Sequence, residues 1–183
     1  MSNLFESLIA RPLAEKMRPT RLELLVGQEH LLAPDAPLGR MLRERRASSM
    51  ILWGPPGSGK TTLAKIVAEY VNMNFVSLSA VFSGVSDLRR VFDKAIERNK
   101  IGEETLLFVD EIHRFNRAQQ DSFLPFVEDG TVVLVGATTE NPSFELNSAL
   151  LSRCKVFILE KIARAGLEHL VKRAEKLEGK ELP

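Results

Sequence analysis

The chain has 183 residues, a formal net charge of +1 at pH 7 and a single cysteine, Cys154. A polypeptide of this length folds as one domain, or as one domain with the beginning of another. The near-neutral charge excludes a global attraction to nucleic acid, so any DNA contact has to come from a local patch, and one cysteine excludes an internal disulfide framework.

No apolar run approaches the ~20 residues that a membrane-spanning helix needs. Residues 1–10 lack the basic segment and the long apolar stretch of a signal peptide. We therefore expect a cytoplasmic protein that makes no use of a membrane.

Residues 1–47 form an N-terminal arm through which prolines are spaced, and we predict a helix over residues 37–46. Two basic clusters lie in this arm: Arg11, Lys16, Arg18 and Arg21 form the first, and Arg40, Arg43, Arg45 and Arg46 form the second. Clusters of this kind are usually solvated faces, although they are also where a local DNA contact would have to lie.

A phosphate-binding sequence follows the first predicted strand, residues 50–53. Residues 54–61 read Gly-Pro-Pro-Gly-Ser-Gly-Lys-Thr, which matches the pattern G-x-x-x-x-G-K-[ST]. Glycines let the backbone wrap closely around an anion, and the start of the next helix favours negative charge. Lys60 can then reach the β- and γ-phosphates of a nucleotide, and the Thr61 hydroxyl can hold Mg²⁺. A simple glycine turn is the alternative, but the strand–loop–helix context favours nucleotide binding.

Two acids follow the third predicted strand, after a helix over 60–71, a strand over 74–78 and a helix over 86–99. The apolar run 106–109 is typical of a parallel strand covered on both faces, and it ends at Asp110 and Glu111. Such carboxylates lie in the crevice where open α/β sheets bind ligands. We expect Asp110 to support Mg²⁺ and Glu111 to orient or deprotonate the attacking water. Two solvated acids are the alternative, but a position 50 residues after Lys60 favours the catalytic interpretation.

The remaining elements complete a predicted sheet. A helix over 116–127 precedes a strand over 132–137, a polar loop over 138–142, a short helix over 147–151, a strand over 156–159 and a helix over 163–177. Strands that alternate with helices indicate a parallel sheet. We predict an α/β fold of the P-loop class, a three-layer sandwich whose five parallel strands lie in the order 5-1-4-3-2 with helices on both faces.

Three further positions are candidates for the site. Thr138 or Thr139, after the fourth strand, would lie near the γ-phosphate as a sensor, although threonine also suits an ordinary loop. Arg153 precedes the last strand, away from the chain's own phosphate loop, so it is either a surface residue or a finger that a neighbouring subunit supplies. His30 and His113 stand apart from any other set of metal ligands, which argues against a zinc site.

Several segments together resemble the AAA+ ATPases. Residues 16–19 and 26–30 look like the adenine-side segment of the clamp-loader group. Residues 152–154 are similar to that group's trans-acting motif. Three others resemble the replication-associated recombination protein A family (RarA, also called MgsA), whose eukaryotic relatives are the Werner helicase-interacting proteins: residues 51–57, 113–116 and 136–144.

The resemblance implies ATP and Mg²⁺ as cofactors and a role for each matching position. Thr61 and Asp110 would bind the metal. The catalytic residues would be Glu111, Lys60, Thr139 as the first sensor and Arg153 as the finger. Nucleotide-binding residues would be Arg18, Val26 and Gly27 beside the adenine, with Gly54, Pro55, Pro56, Gly57, Ser58, Gly59, Lys60, Thr61, Thr62 and Asp110 around the phosphates. Ser79 matches a polar switch that restrains the glutamate in relatives.

The resemblance also divides the chain into an arm with the adenine-side segment (1–47), the core ATPase domain (48–160) and the start of a helical lid (161–183). AAA+ lids carry a second sensor arginine, and RarA-like proteins carry a C-terminal region that assembles tetramers. We therefore expect a fragment with weak nucleotide affinity and little turnover.

The implied function is ATP hydrolysis by a DNA-dependent ATPase in replication-fork maintenance, recombination and repair. Its partners would be DNA at forks, ends and single-stranded gaps, replication proteins, and further copies of the chain with Arg153 acting in trans, at the bacterial nucleoid. Two alternatives stay open. A protein unfoldase is suggested by Phe82-Ser83-Gly84, which resembles a pore loop despite its polar serine. A clamp-loader-type adaptor without turnover is the other, and the complete phosphate loop, Glu111 and Arg153 argue against it.

Overall fold

The computed structural model describes residues 12–179, and these residues build five strands around which ten helices are arranged. The strands are β1 (Met50–Trp53), β2 (Asn74–Ser79), β3 (Thr105–Asp110), β4 (Val132–Thr138) and β5 (Lys155–Ile158). The helices are α1 (Leu13–Lys16), α2 (Glu29–Leu32), α3 (Pro37–Arg43), α4 (Lys60–Tyr70), α5 (Val85–Lys100), α6 (Arg117–Asp121), α7 (Leu124–Glu128), α8 (Pro142–Glu145), α9 (Ser148–Leu151) and α10 (Arg164–Glu178). Two 3₁₀ turns, Leu22–Leu24 and Ile112–Arg114, complete the described chain.

All strand pairs are parallel, and the sheet has the order β2-β3-β4-β1-β5. This is the predicted order read from the opposite edge, so the predicted fold class is confirmed. A single register aligns the carboxyl ends of the central strands, because Trp53 lies opposite Thr138 and Val109 lies opposite Gly136. The residues that follow β1, β3 and β4 are therefore brought to one edge of the sheet.

Two apolar clusters cover the two faces of the sheet. Alternate strand residues divide between them: Met50 and Leu52 of β1 pack with α3 and α4, whereas Ile51 packs with α5 and the segments after β3. The alternation follows from the two-residue period of a strand. A sheet buried on both faces explains why β1, β3 and β4 read as continuous apolar runs in the sequence.

The predicted helix over 116–127 is wrong, because the structure has two short helices there, α6 and α7. Pro125 lies in the first turn of α7. A proline inside a continuous helix would lack the N–H that bonds four residues back, and its ring would clash with the carbonyl of Asp121, where α6 ends. Several other boundaries shift by one to three residues, and two of these shifts matter here. Helix α3 ends at Arg43 rather than at residue 46, with Arg45 at a φ of 51°, and Thr138 belongs to β4 rather than to the following loop.

Three expectations concern residues outside the described range: that residues 1–10 are not a signal peptide, that Arg11 belongs to the first basic cluster, and that residues 180–183 belong to the lid. None of the helices between residues 12 and 179 combines the length and the apolar character that crossing a lipid bilayer requires.

Candidate functional site

The phosphate loop connects the end of β1 to the start of α4. Its conformation needs glycine at two positions, since Gly57 and Gly59 have φ angles of 75° and 94°. Close packing requires a third, because a Cβ on Gly54 would lie 2.5 Å from the carbonyl oxygen of Leu159. The Gly54 N–H donates to the Thr138 carbonyl at 3.1 Å, which anchors the loop to the end of β4.

The loop offers the polar groups that an anion needs. Helix α4 begins at Lys60, and no side chain caps its first turn. The N–H groups of that turn have no partner four residues earlier, so they are available to oxygen atoms of a phosphate. The Ser58 hydroxyl is buried without a hydrogen-bond partner in the described part of the chain. Pro55, Pro56 and Gly57 are exposed, which leaves the outer rim of the loop open. These features fit a bound triphosphate.

Lys60 lies where its charge can serve both the loop and the acids. The Lys60 ammonium donates to the Gly54 carbonyl at 2.7 Å and to the Pro55 carbonyl at 3.0 Å. Burial lowers the pKa of Lys60, and the nearby carboxylates of Glu111 and Asp110 oppose that shift. The side chain is thus a positive charge in a partly desolvated position, with two negative charges close to it.

Asp110 and Glu111 come directly after the apolar part of β3. Asp110 is the last residue of the strand, and Glu111 turns the chain with a φ of 53°, in the left-handed region that non-glycine residues rarely adopt. The Asp110 carboxylate and the Thr61 hydroxyl are oxygen ligands of the kind that Mg²⁺ prefers. The donor set at this edge therefore suits a nucleotide-bound magnesium ion.

Two of the three predicted adenine-side residues, Arg18 and Val26, line one pocket of about 370 Å³. Gly57 of the phosphate loop and Thr62 of α4 also line this pocket, and apolar side chains that include Ile162 and Leu170 complete the lining. Gly27 packs against the same region, since a Cβ at that position would be 3.3 Å from Cγ1 of Ile162. A mostly apolar pocket that continues from the phosphate loop is the environment that a flat heteroaromatic base requires.

Gln28 is a residue of this site that the sequence analysis left without a role. It is fully buried, and its amide nitrogen donates to the Ser58 carbonyl at 3.1 Å and to the Glu160 carbonyl at 2.8 Å. Its oxygen accepts the N–H of Glu160 at 3.1 Å. Gln28 therefore ties the N-terminal arm, the phosphate loop and the segment after β5 together. One signal was present in the sequence: Gln28 lies within residues 26–30, the segment that resembles the adenine side of the clamp-loader group.

His113 is a second residue that sequence reasoning did not connect to the site. Its Nε2 lies 3.3 Å from the Glu111 carboxylate, and its Nδ1 lies 2.9 Å from the Thr138 hydroxyl. Thr138 is buried, and its hydroxyl also accepts the Glu140 N–H at 3.0 Å. The Thr138 side chain is therefore occupied by internal contacts, whereas Thr139, the predicted sensor, follows it and is partly exposed. The sensor role of Thr139 stays a prediction.

Ser79 ends β2 and lies opposite Asp110 in the strand register. This position, on the strand next to the acids, agrees in location with a polar switch, and the role itself stays a prediction.

Arg153 lies beside the amino ends of the strands, whereas the phosphate loop and the acids follow their carboxyl ends. It precedes β5, whose first residue, Lys155, is opposite Met50 at the amino end of β1. The Arg153 guanidinium is exposed, pairs with Glu128 and donates to the Ala149 carbonyl at 2.7 Å. Arg153 is thus not brought together with Lys60 and Glu111 within one chain, as the predicted strand order required.

Known proteins are similar to this chain in sequence and in fold. The family described as "ATPase family associated with various cellular activities (AAA)" matches residues 50–161. Replication-associated recombination protein A of Escherichia coli (strain K12) is 51% identical over 177 residues, which are 95% of this chain and 40% of that protein. ATPase WRNIP1 of Dictyostelium discoideum is 56% identical over 162 residues, which are 88% of this chain and 18% of that protein. The chain therefore spans less than half the length of these relatives.

A solved structure titled as a Thermotoga maritima RuvB Holliday junction branch migration motor is similar to this fold, with a TM-score of 0.72 at 32% sequence identity, over 89% of this chain and 55% of that chain. The resemblance to the RarA family that the motifs predicted is confirmed by the relatives at 51% and 56% identity. The family match over residues 50–161 includes the strands, the phosphate loop and the two acids described above. The chain therefore belongs to the AAA family of ATPases.

Proposed function

We propose that the chain binds ATP with Mg²⁺ and hydrolyses it, as the ATPase domain of a protein that acts on DNA during replication and recombination. One observation carries the proposal: Lys60 is held by carbonyls of the phosphate loop and lies within electrostatic reach of both Asp110 and Glu111. The three groups that handle phosphate, metal and water are thus at one place.

Each residue has a distinct part in this proposal. The first-turn N–H groups of α4 and the Lys60 ammonium bind the phosphates, and the pocket beside Arg18 and Val26 receives the base. Thr61 and Asp110 hold Mg²⁺, which neutralises charge on the phosphates. Glu111 orients the attacking water and accepts its proton. Thr139 senses the γ-phosphate from the end of β4.

The binding step is tested with the protein at its full natural length by titration with ATP and Mg²⁺. Lys60→Ala removes the phosphate-binding charge, and we expect it to abolish measurable binding at millimolar ATP. Lys65→Ala is the matched control, since Lys65 lies on the same helix but faces the Phe75 ring, 6.0 Å from its centroid. Equal binding by both variants would contradict the phosphate role of Lys60.

The hydrolysis step is tested with Glu111→Gln, which keeps the size of the side chain and removes the base. We expect ATP binding to persist while turnover falls by about 10² or more. A variant that turns ATP over at the unaltered rate would refute the assignment of Glu111.

The trans role of Arg153 is tested by mixing. Arg153→Ala subunits and Glu111→Gln subunits are each expected to be inactive, because an arginine finger is worth ~10³ or more in rate. In a mixture, some interfaces pair an intact glutamate with an intact arginine, so activity should partly return. No recovery in a mixture that still assembles would argue against action in trans.

Dependence on DNA is the part of the proposal that comes from the relatives, whose names refer to replication, recombination and branch migration. We expect forked or single-stranded DNA to stimulate ATP turnover, with a steep dependence on salt, because phosphate contacts release counterions. The preferred readout is the ATPase rate with and without forked DNA at two salt concentrations.

A second candidate, protein remodelling, is favoured by one observation. Phe82 lies between β2 and α5 with 89% of its surface exposed, and Val81 and Val85 beside it are 55% and 61% exposed. An exposed apolar loop of this kind contacts a partner in many proteins. Stimulation of turnover by an unfolded polypeptide, lost in Phe82→Ala, would favour remodelling, whereas stimulation by DNA alone would favour the first proposal.

A further inference from the structure

A continuous line of contacts joins the phosphate loop to the proposed catalytic glutamate. The Gly54 N–H donates to the Thr138 carbonyl at 3.1 Å, the Thr138 hydroxyl lies 2.9 Å from Nδ1 of His113, and Nε2 of His113 lies 3.3 Å from Oε2 of Glu111. The loop, the end of β4 and the glutamate are therefore connected by two side chains, Thr138 and His113.

The surroundings hold the His113 ring in one orientation. The imidazole side chain is only 7% exposed, whereas the Glu111 side chain is 30% exposed. Ile112, the preceding residue, is fully buried against β4, where the missing side chain of Gly136 makes room: a Cβ there would lie 2.8 Å from Cδ1 of Ile112. The 3₁₀ turn that carries His113 is thus fixed on the sheet, and the ring cannot turn away without disturbing that packing.

The two contacts assign the protons of the ring. A lone pair on Nε2 would face the negative oxygen of Glu111, which is repulsive, so we place a proton on Nε2. In a neutral imidazole Nδ1 is then an acceptor for the Thr138 hydroxyl across 2.9 Å, and the Glu140 carbonyl, 3.2 Å from the same hydroxyl, is a second acceptor for that one proton. The Thr138 oxygen in turn accepts the Glu140 N–H at 3.0 Å. Each polar atom along the line has a matching partner.

We propose that His113 is a positioning residue, which holds one oxygen of Glu111 and ties the orientation of that carboxylate to the carboxyl end of β4. The inference rests on the proposed function, because it assumes that Glu111 handles the attacking water.

The arrangement has a mechanical consequence. Glu111 has a φ of 53°, in the left-handed region that residues other than glycine rarely adopt, so neighbouring contacts have to hold the turn that carries it. With Oε2 engaged by His113, Oε1 is the oxygen left to accept a proton from water. A displacement of Thr138 when the adjacent Thr139 meets a phosphate would pass to Glu111 through the ring.

The test uses three replacements of His113 in the full-length protein. Asparagine can place an amide near the position of Nδ1, and glutamine can place one near the position of Nε2. His113→Gln therefore keeps the donor to Glu111, and His113→Asn and His113→Ala do not. We expect Asn and Ala to lower kcat about tenfold or more, the range found for groups that orient a functional side chain, with KM for ATP changed less than about threefold. Gln should recover most of that loss.

Thr138→Val tests the tie to β4, because valine keeps the shape and removes the hydroxyl. We expect it to lower kcat, and we expect Thr138→Val combined with His113→Ala to be no slower than His113→Ala alone, because the two side chains act through one line of contacts. His169→Ala, on the exposed surface of α10, is the matched control for loss of a histidine.

The outcomes separate the inference from the function beneath it. If Glu111→Gln leaves turnover intact, the proposed function fails. If Glu111→Gln abolishes turnover but His113→Ala keeps kcat within twofold of the unaltered protein, only the positioning role is refuted. Equal losses for Gln, Asn and Ala, accompanied by weaker ATP binding and a lower melting temperature, would assign His113 a purely structural role and would also overturn the inference.

Discussion

The clearest quantitative prediction concerns Gln28, the buried amide that joins three segments. Gln28→Ala removes three hydrogen bonds, two donated to the carbonyls of Ser58 and Glu160 and one accepted from the Glu160 N–H. At about 1 kcal/mol for each bond, the free energy of unfolding should fall by about 3 kcal/mol. For a chain of this size that loss lowers the melting temperature by about 6–12 °C.

The same change should weaken ATP binding, because one of the lost bonds holds the phosphate loop at Ser58. If that bond contributes about 1 kcal/mol to the binding-competent loop, the dissociation constant for ATP rises about fivefold. Urea denaturation followed by circular dichroism measures the first effect, and isothermal titration with ATP and Mg²⁺ at a temperature where both proteins are folded measures the second.

The chain supplies a matched control in Gln120, the other buried glutamine of the described residues. Gln120 also donates to two carbonyls, those of Phe115 and Glu145 at 2.9 and 3.2 Å, and accepts the N–H of Asn147 at 2.8 Å. Gln120→Ala therefore removes an equal set of bonds away from the phosphate loop. It should destabilise the fold by a similar amount and leave ATP affinity within about twofold.

Two results would refute this reasoning. A loss of less than 1 kcal/mol in Gln28→Ala would mean that the three bonds do not connect the arm to the loop in solution. An equal loss of ATP affinity in Gln28→Ala and Gln120→Ala would mean that affinity follows global stability rather than the position of the Ser58 carbonyl.

Three further predictions follow from single contacts. Gly54→Ala would place a Cβ 2.5 Å from the Leu159 carbonyl oxygen, so we expect the free energy of unfolding, measured by urea denaturation, to fall by about 1–3 kcal/mol. Gly84→Ala is the control and should be near-neutral, because nothing lies within 4 Å of a Cβ there. Burial raises the pKa of the Cys154 thiol from 9.0 to about 12, so the thiol stays protonated at pH 8.5 and iodoacetamide should modify it about 1000-fold more slowly than a free cysteine; fast labelling without denaturant would contradict this. Arg153→Ala breaks an exposed ion pair and should change the free energy of unfolding by less than about 1 kcal/mol, so a larger change would mean that lost turnover reports unfolding rather than chemistry.

The parts of the fold that were predictable are those in which local pattern and burial agree. Strands β1, β3 and β4 are continuous apolar runs because the sheet is covered on both faces, and the spacing between Lys60 and Asp110 leaves room for the intervening β2. The break between α6 and α7 is encoded locally by Pro125, because a proline inside an apolar helical pattern interrupts the helix.

The contacts that organise the site were not predictable, because they join residues far apart in sequence. Gln28 meets Ser58 and Glu160 across 30 and 132 positions, and His113 meets Thr138 across 25. No local periodicity reports such pairs, since they depend on how the arm and the 3₁₀ turn pack on the finished sheet. Glu111 and Lys60 were found because their spacing follows a motif, whereas the residues that hold them follow none.

The placement of Arg153 limits how copies of this domain can associate. Arg153 lies near the amino end of β1, and the phosphate loop follows its carboxyl end. The four residues of β1, at about 3.3 Å each, separate these two ends by about 13 Å. If the arginine of one copy completes the centre of the next, the surfaces that meet are different surfaces. A two-fold pair can achieve this only if its shared interface includes both of these surfaces of each copy. A head-to-tail arrangement, closed into a ring or extended as a spiral, would give every interior member a complete centre, and in an open spiral the terminal member with an unfilled centre would mark a direction along the assembly.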